Sequence, residues 1–229
     1  MFGRKLVNSR SSAENFIKLG LVSVNCVVCK TASTIVDDRD DVVLNMQNTY
    51  VSRAGLKLES VALKLQLQFA NKVVLDIGSS TGGFTDFALQ HGATKVLAVD
   101  VGTNQLHPKL HCNPKIELHE QTDIRNFTTP QKIDMILIDV SFISMRDIWD
   151  AVLRLSGSKT EIVAMLKPQF EAGREQINKG VIKNDSIRRD ILKNFELFTH
   201  KTTKIIQKAD SDIAGAKGNL ERFYLLQKL

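Results

Sequence analysis

The sequence has few cysteines and no long apolar run. Three cysteines in 229 residues are too few for the disulfide framework of a small secreted protein. No stretch approaches the roughly 18 consecutive apolar residues that a membrane-spanning helix needs. The segment that starts at Met1 lacks the apolar core and cleavage site of a secretory signal, and we find no repeat or low-complexity tract. These absences predict a soluble protein of the cytoplasm that has no membrane partner.

The composition is that of a folded, mildly basic chain. Hydrophobic residues make up 43% and charged residues 24%, which favours a packed core over wholesale disorder. The length suits one medium domain with a small appendage. The net charge of +6 favours polyanionic partners, because each phosphate contact releases condensed counterions.

The beginning of the chain has the pattern of a small separate unit. Ser11–Leu19 has the apolar spacing of a short amphipathic helix, which Gly20 would end. Leu21–Cys29 alternates around Asn25 and predicts a β-hairpin. The polar segment Asn45–Thr49 indicates a linker. We therefore expect a first unit at residues 1–46, a linker at 47–52 and a second domain at 53–229.

From residue 53 onward, short apolar, β-branched runs alternate with helical patterns. The predicted strands are Val73–Ile77, Val96–Val101, Ile116–His119, Ile133–Val140, Ile162–Leu166, Lys204–Ala209 and Phe223–Leu226. The predicted helices are Arg53–Phe69, Phe84–Gln90, Ser144–Leu155 and Asp185–Phe198. This order predicts an α/β fold whose mostly parallel sheet is covered on both faces. The last strand follows its predecessor after only a loop, which predicts antiparallel pairing there.

A glycine-rich turn follows the first of these strands. The segment Asp76-Ile-Gly-Ser-Ser-Thr-Gly-Gly-Phe-Thr85 opens a helix, and such glycines let the backbone turn sharply and approach a ligand. Asp100 ends the next strand, at about the 20-residue separation where an acid meets ribose hydroxyls. The alternatives are an ordinary βα loop and a dinucleotide site. The spacing departs from G-x-G-x-x-G, and an acid before the turn suits S-adenosylmethionine, whose amino acid end is cationic and which has no phosphate.

Asp123 closes the third strand, and two interpretations of it remain open. Its carboxylate can accept a hydrogen bond from an adenine amino group, with Ile124 or Val101 packing on the ring. Alternatively, it simply caps the turn that follows. The acids Asp76, Asp100, Asp123 and Asp139 all fall at carboxyl ends of strands, where open α/β sheets bind ligands.

Two lysines and two acids form a second constellation. Asp139 and Lys167 end successive apolar strands, Glu221 begins the last strand, and Lys57 lies early in the helix before the first strand. A lysine that follows a buried strand is costly unless it meets a carboxylate or reaches a cleft. For Lys167 the alternative is a solvated strand end, and for Lys57 it is the exposed face of an amphipathic helix.

Five blocks of the sequence carry a resemblance to a known family. They are Tyr50-Val-Ser-Arg-Ala-Gly-Leu-Lys-Leu58, Asp76-Ile-Gly-Ser-Ser-Thr-Gly-Gly-Phe-Thr-Asp86, Leu137-Ile-Asp-Val-Ser-Phe-Ile-Ser144, Leu166-Lys-Pro-Gln-Phe-Glu-Ala-Gly-Arg174, and Lys217-Gly-Asn219 with Glu221. In this order they resemble the TlyA (hemolysin A) family, which joins an S4 RNA-binding domain to an FtsJ-like methyltransferase domain. The resemblance implies a Rossmann-like class I methyltransferase fold with seven strands.

The resemblance also implies an activity: S-adenosylmethionine-dependent 2′-O-methylation of a ribose, expected at a cytidine, in ribosomal RNA of a ribosomal subunit. The implied catalytic residues are Lys57, Asp139, Lys167 and Glu221. The cofactor-binding residues that we expect are Asp76, Gly78, Ser79, Ser80, Thr81, Gly82, Gly83, Phe84, Asp100, Val101, Asp123, Ile124 and Asp139. The RNA-binding residues that we expect are Arg4, Lys5, Arg10, Lys18, Arg53, Arg174 and Lys217.

The chemistry explains why such a catalytic set is needed. A ribose hydroxyl is a poor nucleophile and must lose its proton as it attacks the sulfonium methyl group. Lys167 can orient the hydroxyl and either accept its proton or stabilise the developing alkoxide. Because paired carboxylates favour the charged lysine, we expect electrostatic positioning to be at least half of its role.

The first unit departs from the family pattern. Residues 4–25 resemble the middle of an S4 domain, but the helix that normally precedes them is missing. Either the true start lies upstream or the module is shortened, and we expect a truncated S4-like unit. Cys26 and Cys29 lack the further ligands that tetrahedral zinc requires, and Pro108 interrupts the spacing of His107 and His111, so we expect no metal site.

Two other classes of function remain as alternatives. One is a membrane-active hemolysin, which should have an amphipathic insertion segment or alternating membrane strands. The other is a non-catalytic RNA-binding factor of ribosome assembly.

Overall fold

The protein divides into two compact units, which we describe separately. A computed structural model describes residues 1, 3–4, 6–7, 13–14, 16–17, 20–44, 50–173, 175, 180–182, 184–215 and 218–229. The units are Met1–Thr49 and Tyr50–Leu229. Among the described residues, we find no helix with the length and apolar character needed to cross a bilayer.

The first unit contains a small antiparallel sheet. Its strands are β1 (Val22–Val24), β2 (Val27–Val28) and β3 (Val42–Leu44), in the order β2-β1-β3. The predicted hairpin is confirmed, and its turn residues Asn25 and Cys26 have φ values of 51° and 65°, the left-handed geometry that matches strand twist. The strand β3 was not predicted. The helical residues Ala13, Glu14, Phe16 and Ile17 belong to the predicted first helix, whose other positions, like the linker segment 45–49, lie outside the described residues.

The second unit alternates strands and helices. Its helices are α1 (Arg53–Ala62), α2 (Gly83–Gln90), α3 (Met145–Leu155), α4 (Pro168–Glu171) and α5 (Asp185–Thr199), with a 3₁₀ turn at Pro108–Leu110. Its strands are β4 (Val73–Ile77), β5 (Lys95–Val99), β6 (Ile116–His119), β7 (Met135–Ile138), β8 (Glu161–Leu166), β9 (Thr203–Asp210) and β10 (Arg222–Lys228).

The seven strands form one sheet in the order β6-β5-β4-β7-β8-β10-β9. The strands β4 to β8 pair in parallel. The strand β10 is antiparallel to both β8 and β9, as predicted from the short loop before it. The chain moves from β4 outward through β5 and β6 and then returns to β7 on the other side of β4. This reversal of strand order is where ligands bind in open α/β sheets.

The core lies on both faces of the sheet, which explains the continuous apolar strands. In β7, Ile136 and Ile138 pack into a cluster with Trp149 and Phe195. Met135 and Leu137 point the other way and pack with residues such as Leu58. Successive side chains of a strand alternate between faces, so a strand covered on both sides is apolar at every position.

The helix predicted over Arg53–Phe69 ends early, at Ala62. Gln66 adopts a positive φ of 54°, which breaks the helical path. Leu65 and Phe69 are still buried in the core, so the apolar spacing identified the buried positions correctly. Only the conformation of the segment after Ala62 was wrong.

Candidate active site

The turn after β4 brings backbone atoms close to the end of β7. Gly78 has a φ of 80°, and a Cβ atom placed there would lie 3.0 Å from the carbonyl oxygen of Asp139. Its N–H and that of Ser79 donate to the carbonyl of Val99, at 2.9 and 3.2 Å. Glycine at position 78 therefore allows three strand ends to converge.

Asp76 lies beneath this turn and is fully buried. Its Oδ2 accepts a 2.6 Å hydrogen bond from the Thr85 hydroxyl, whereas its Oδ1 has no hydrogen-bond partner in the part of the chain that the structure describes. Burial raises the pKa of Asp76 to about 7, opposed by the Thr85 hydrogen bond and assisted by the charges of Asp139 and Asp100. A buried acceptor without a partner is costly, so this oxygen is suited to a cationic donor.

Asp100 fixes the conformation of the turn from the neighbouring strand. Its Oδ2 accepts from the Ser80 N–H at 2.8 Å, and its Oδ1 accepts from the Gly102 N–H at 2.7 Å. Ser80 itself has a positive φ of 47°, an uncommon geometry for a residue other than glycine. Each carboxylate oxygen has a second lone pair, which leaves capacity for ligand hydroxyls.

A cleft of about 450 Å³ opens at this edge of the sheet. The expected cofactor residues that line it are Gly78, Ser80, Asp100, Val101, Asp123, Ile124 and Asp139. Lining residues that the sequence analysis did not single out are Ile77, Val99, Gln105, Thr122, Arg125, Val140, Ser141, Phe142, Ile143 and Ile148. The walls are therefore largely apolar, with carboxylates at a few points, as is typical of small-molecule sites.

Asp123 makes contacts that fit both interpretations of it. It lines the cleft, and it also accepts from the N–H of Arg125 at 2.9 Å, as a capping residue does. The Arg125 guanidinium hydrogen-bonds both carboxylate oxygens. These bonds hold the pKa of Asp123 below its usual range, so the carboxylate stays ionised.

The other expected cofactor residues do not line the cleft: Asp76 is fully buried in β4, and the rest build the turn. Ser79 is buried, and the carbonyl of Thr81 accepts from His107 N–H. Gly82 has a φ of 87° and Gly83 packs closely on Ser52 and Ala54. Phe84 is buried in the core, where its ring centroid lies 6.0 Å from that of Phe223.

The four residues of the lysine–carboxylate constellation lie together. The Nζ of Lys167 is 2.6 Å from Oδ1 of Asp139, and the Nζ of Lys57 is 2.5 Å from Oε2 of Glu221. Burial raises the pKa of Asp139, while the charges of Lys167 and Lys57 lower it and that of Glu221 raises it further. The two ion pairs therefore form one electrostatic cluster.

The surroundings explain how Lys57 and Glu221 come to be buried. The backbone before α1 is anchored where Val51 N–H donates to Asp86 at 2.8 Å, and Lys57 is only 8% exposed. The alternative of a solvated helix face is thus wrong for Lys57. Glu221, 2% exposed, is held at the start of β10, where its carbonyl accepts from Ser211 N–H.

Two segments beside the cluster carry residues that the sequence analysis quoted without giving them a role. The Lys167 ammonium donates to the Ser141 hydroxyl at 2.7 Å. Phe142 has a φ of 66° and a side chain that is 92% exposed, and its ring lies 5.1 Å from that of Phe170. Apolar periodicity identifies buried positions, so it could not single out the exposed Phe142. The sequence signal for Phe142 was its position between Asp139 and the next helix.

Most of the expected RNA-binding residues lie outside the described residues. These are Lys5, Arg10, Lys18, Arg174 and Lys217. Arg4 donates to the carbonyls of Asp40 and Asp37, at 2.7 and 2.5 Å, and Arg53 donates to the carbonyl of Ala214 at 3.2 Å. Both arginines therefore brace the backbone of their own units.

Comparisons with known proteins agree with this geometry. The family model described as FtsJ-like methyltransferase matches residues 50–228. Hemolysin A of Brachyspira hyodysenteriae is 39% identical over 219 residues, which cover 93% of this chain and 91% of that protein. The 23S rRNA (cytidine-2′-O)-methyltransferase TlyA of Campylobacter jejuni is 41% identical over 182 residues, covering 78% and 71%. A solved structure from Streptococcus thermophilus, assigned as a hemolysin, has a TM-score of 0.78 at 36% identity and covers 97% of this chain and 84% of that one.

Proposed function

The chain belongs to the FtsJ-like methyltransferase family, together with proteins of the TlyA and hemolysin A type, and from this premise we propose that it methylates ribosomal RNA. The reaction is transfer of a methyl group from S-adenosylmethionine to the 2′-hydroxyl of a ribose. We propose a cytidine as the target nucleotide, by analogy with the relative that acts on cytidine in 23S rRNA. The observation that carries the proposal is the Lys167–Asp139 ion pair beside a cleft that is lined by Asp139 and Asp100.

The residues around the cleft fit this cofactor. The unpartnered Oδ1 of Asp76 suits a cationic amino group, and the fixed carboxylate of Asp100 suits the hydroxyls of a ribose. Asp123, Ile124 and Val101 offer a polar edge and apolar surface for an adenine ring. When bound, the cofactor supplies an electrophilic methyl group on a sulfonium sulfur.

Lys167 is the residue that we assign to the reacting hydroxyl. An ammonium group has three N–H donors, and the contacts with Asp139 and Ser141 account for two of them. The third is available to orient the substrate oxygen and to stabilise negative charge as it develops there. Lys167 passes one ammonium proton to the Asp139 carboxylate and takes up the hydroxyl proton in its place, so the pair gains one proton in all. The bound cofactor would supply the methyl group to the oxygen that loses this proton.

Asp139 keeps Lys167 in position and accepts the proton that Lys167 gives up. Burial raises the pKa of its carboxyl, so it is a better proton acceptor than an exposed aspartate. Lys57 and Glu221 form the second ion pair of the cluster and hold its charges in a fixed arrangement. Fixed geometry matters because in-line transfer needs near-attack positioning of the reacting atoms.

The surface beside Lys167 suits a nucleotide. The exposed ring of Phe142 packs near Phe170, and the Lys167 ammonium lies 6.0 Å from the centroid of the Phe170 ring. Aromatic side chains of this kind stack on unpaired bases. The net charge of +6 favours an RNA partner, and we propose that the physical substrate is a ribosomal subunit or its RNA.

Family membership and the complete four-residue cluster favour this enzyme function over both alternatives, a membrane-active hemolysin and a non-catalytic assembly factor. The test is transfer of tritium from methyl-labelled S-adenosylmethionine to ribosomal RNA by the purified protein, followed by mapping of the modified ribose. We expect label at a 2′-O position. Normal RNA binding without any transfer would instead support the assembly factor.

A further inference from the structure

Glu171 connects the two segments that carry Asp139 and Lys167. It is the last residue of α4, the single helical turn that begins directly after Lys167. Its Oε2 accepts a 2.6 Å hydrogen bond from the Ser144 hydroxyl, and its Oε1 accepts a 2.7 Å bond from the Met145 N–H. Ser144 and Met145 are the cap and first residue of α3, so the carboxylate caps a helix from a different element.

These bonds and the Lys167–Asp139 ion pair connect residues 139–145 with residues 167–171, and we call the two connected segments the bridge. At one end Lys167 binds Asp139, and at the other end Glu171 binds Ser144 and Met145. Between these two anchors the chain carries Ser141 and Phe142, which contact the second segment through Lys167 and Phe170. The two segments are therefore joined along their whole length, and Glu171 supplies the anchor farthest from Lys167.

The exposed middle of the bridge needs such an anchor. Phe142 has a left-handed backbone conformation that is unfavourable for a bulky residue and persists only where the surroundings impose it. Its side chain is almost fully exposed, so core packing cannot impose it. The hydrogen bonds at Ser144 and Met145 act on the backbone directly after Ile143.

We propose that Glu171 is a positioning residue for methyl transfer. By holding the start of α3 against α4, it keeps Ser141, Phe142 and Lys167 in the arrangement that receives the substrate nucleotide. This inference rests on the proposed function. The rival explanation is that Glu171 only caps α3 and contributes to stability without affecting the reaction.

A matched pair of caps separates these explanations. Asn184 caps α5, where its side chain accepts from the Ser186 N–H at 2.8 Å, and it does not line the cleft. Glu171→Ala and Asn184→Ala should both lower the melting temperature. Only Glu171→Ala should lower kcat for RNA methylation, by about tenfold or more, because a misplacement of about 1 Å can cost about a hundredfold in rate.

Two further variants complete the test. Glu171→Gln keeps an acceptor for Met145 N–H and can donate to Ser144, so it should recover most of the lost kcat. Ser144→Ala removes one of the two bonds and should give an intermediate kcat, which decides the question if Glu171→Ala fails to fold. Binding of S-adenosylmethionine, measured by calorimetry, should weaken far less than kcat falls in each variant.

The results that would overturn the inference are specific. If the Glu171 and Ser144 variants lose stability but keep the kcat of the Asn184 variant, Glu171 is a structural cap and nothing more. If the unmodified protein transfers no methyl group to ribosomal RNA, the proposed function itself fails. The second outcome is read from the unmodified protein alone, so the two failures are distinguishable.

Discussion

The Nζ of Lys57 lies 2.5 Å from Oε2 of Glu221, and both side chains are almost completely buried. These residues come from α1 and the start of β10, which are far apart in the sequence. A buried ion pair contributes little net stability, but removal of one partner leaves an uncompensated charge. The positions of the charged groups around Asp139 therefore depend on both Lys57 and Glu221.

Removal of one partner of this pair should destabilise the protein strongly. We expect Lys57→Ala or Glu221→Ala to lower the free energy of unfolding by about 3–5 kcal/mol, measured by urea denaturation. The double variant Lys57→Met with Glu221→Leu should recover most of that stability and yet remain inactive in RNA methylation. Recovery of activity along with stability would show that the pair has only a structural role.

Lys167→Ala should abolish methyl transfer and leave cofactor binding intact. General acid–base groups typically contribute about 10²- to 10⁴-fold in rate, so we expect a loss in this range or larger in a single-turnover tritium assay. Lys159, an exposed lysine between α3 and β8, provides the matched control as Lys159→Ala. Equal activity of the two variants would remove Lys167 from the mechanism.

Asp100→Ala should weaken binding of S-adenosylmethionine. The substitution removes a carboxylate that lines the cleft and both hydrogen bonds that fix Ser80 and Gly102. Charged hydrogen bonds contribute about 1.5–3 kcal/mol each, so we expect the dissociation constant from calorimetry to rise at least about tenfold. Asp150→Ala, on the exposed side of α3, should bind normally, and an unchanged affinity for the Asp100 variant would refute the ribose assignment.

Asp76 should make both stability and cofactor binding depend on pH. Its pKa is raised from 3.8 to about 7 by burial, so between these values the folded protein holds a proton that the unfolded chain has released. Asp76 therefore lowers the free energy of unfolding as the pH rises from 3.8 to about 7, and above that range its effect on stability no longer changes with pH. A cationic amino group prefers the ionised carboxylate, so affinity for S-adenosylmethionine should rise by up to about tenfold per pH unit below the folded pKa.

Asp76→Asn provides the control for this behaviour. The amide does not titrate, so the dependence of affinity on pH should flatten, and the variant without cofactor should lose less stability toward neutral pH. Calorimetry and thermal unfolding between pH 5 and 8 measure both effects. A pH profile that is the same in both proteins would assign the titration to another group.

Much of the second unit could be predicted from the sequence, because its strands are short and buried on both faces. The runs Val73–Ile77 and Ile116–His119 match β4 and β6 residue for residue. In contrast, β3 was missed because Val42–Leu44 is very short and follows an acidic segment. The end of α1 was misplaced because the apolar spacing continues through Leu65 to Phe69, although Gln66 turns the backbone.

The candidate site was predictable in its positions and less so in its contacts. Acids at the ends of parallel strands must lie at one edge of the sheet, which is why Asp76, Asp100 and Asp139 could be grouped in advance. The burial of Lys57 could not be derived from helical periodicity, since it depends on a partner from the far end of the unit. The same holds for Glu171, whose two partners belong to another helix.

The place of β10 between β8 and β9 has a consequence for biosynthesis. Translation produces β9 before β10. A nascent chain that contains the first six strands of this sheet, β4 to β9, therefore still lacks the strand that joins β8 to β9. Glu221 directly precedes the strand that fills this gap, so the Lys57–Glu221 ion pair forms only when β10 is in place. The four-residue cluster of Lys57, Asp139, Lys167 and Glu221 is therefore complete only after the central strand of this half of the sheet has been added.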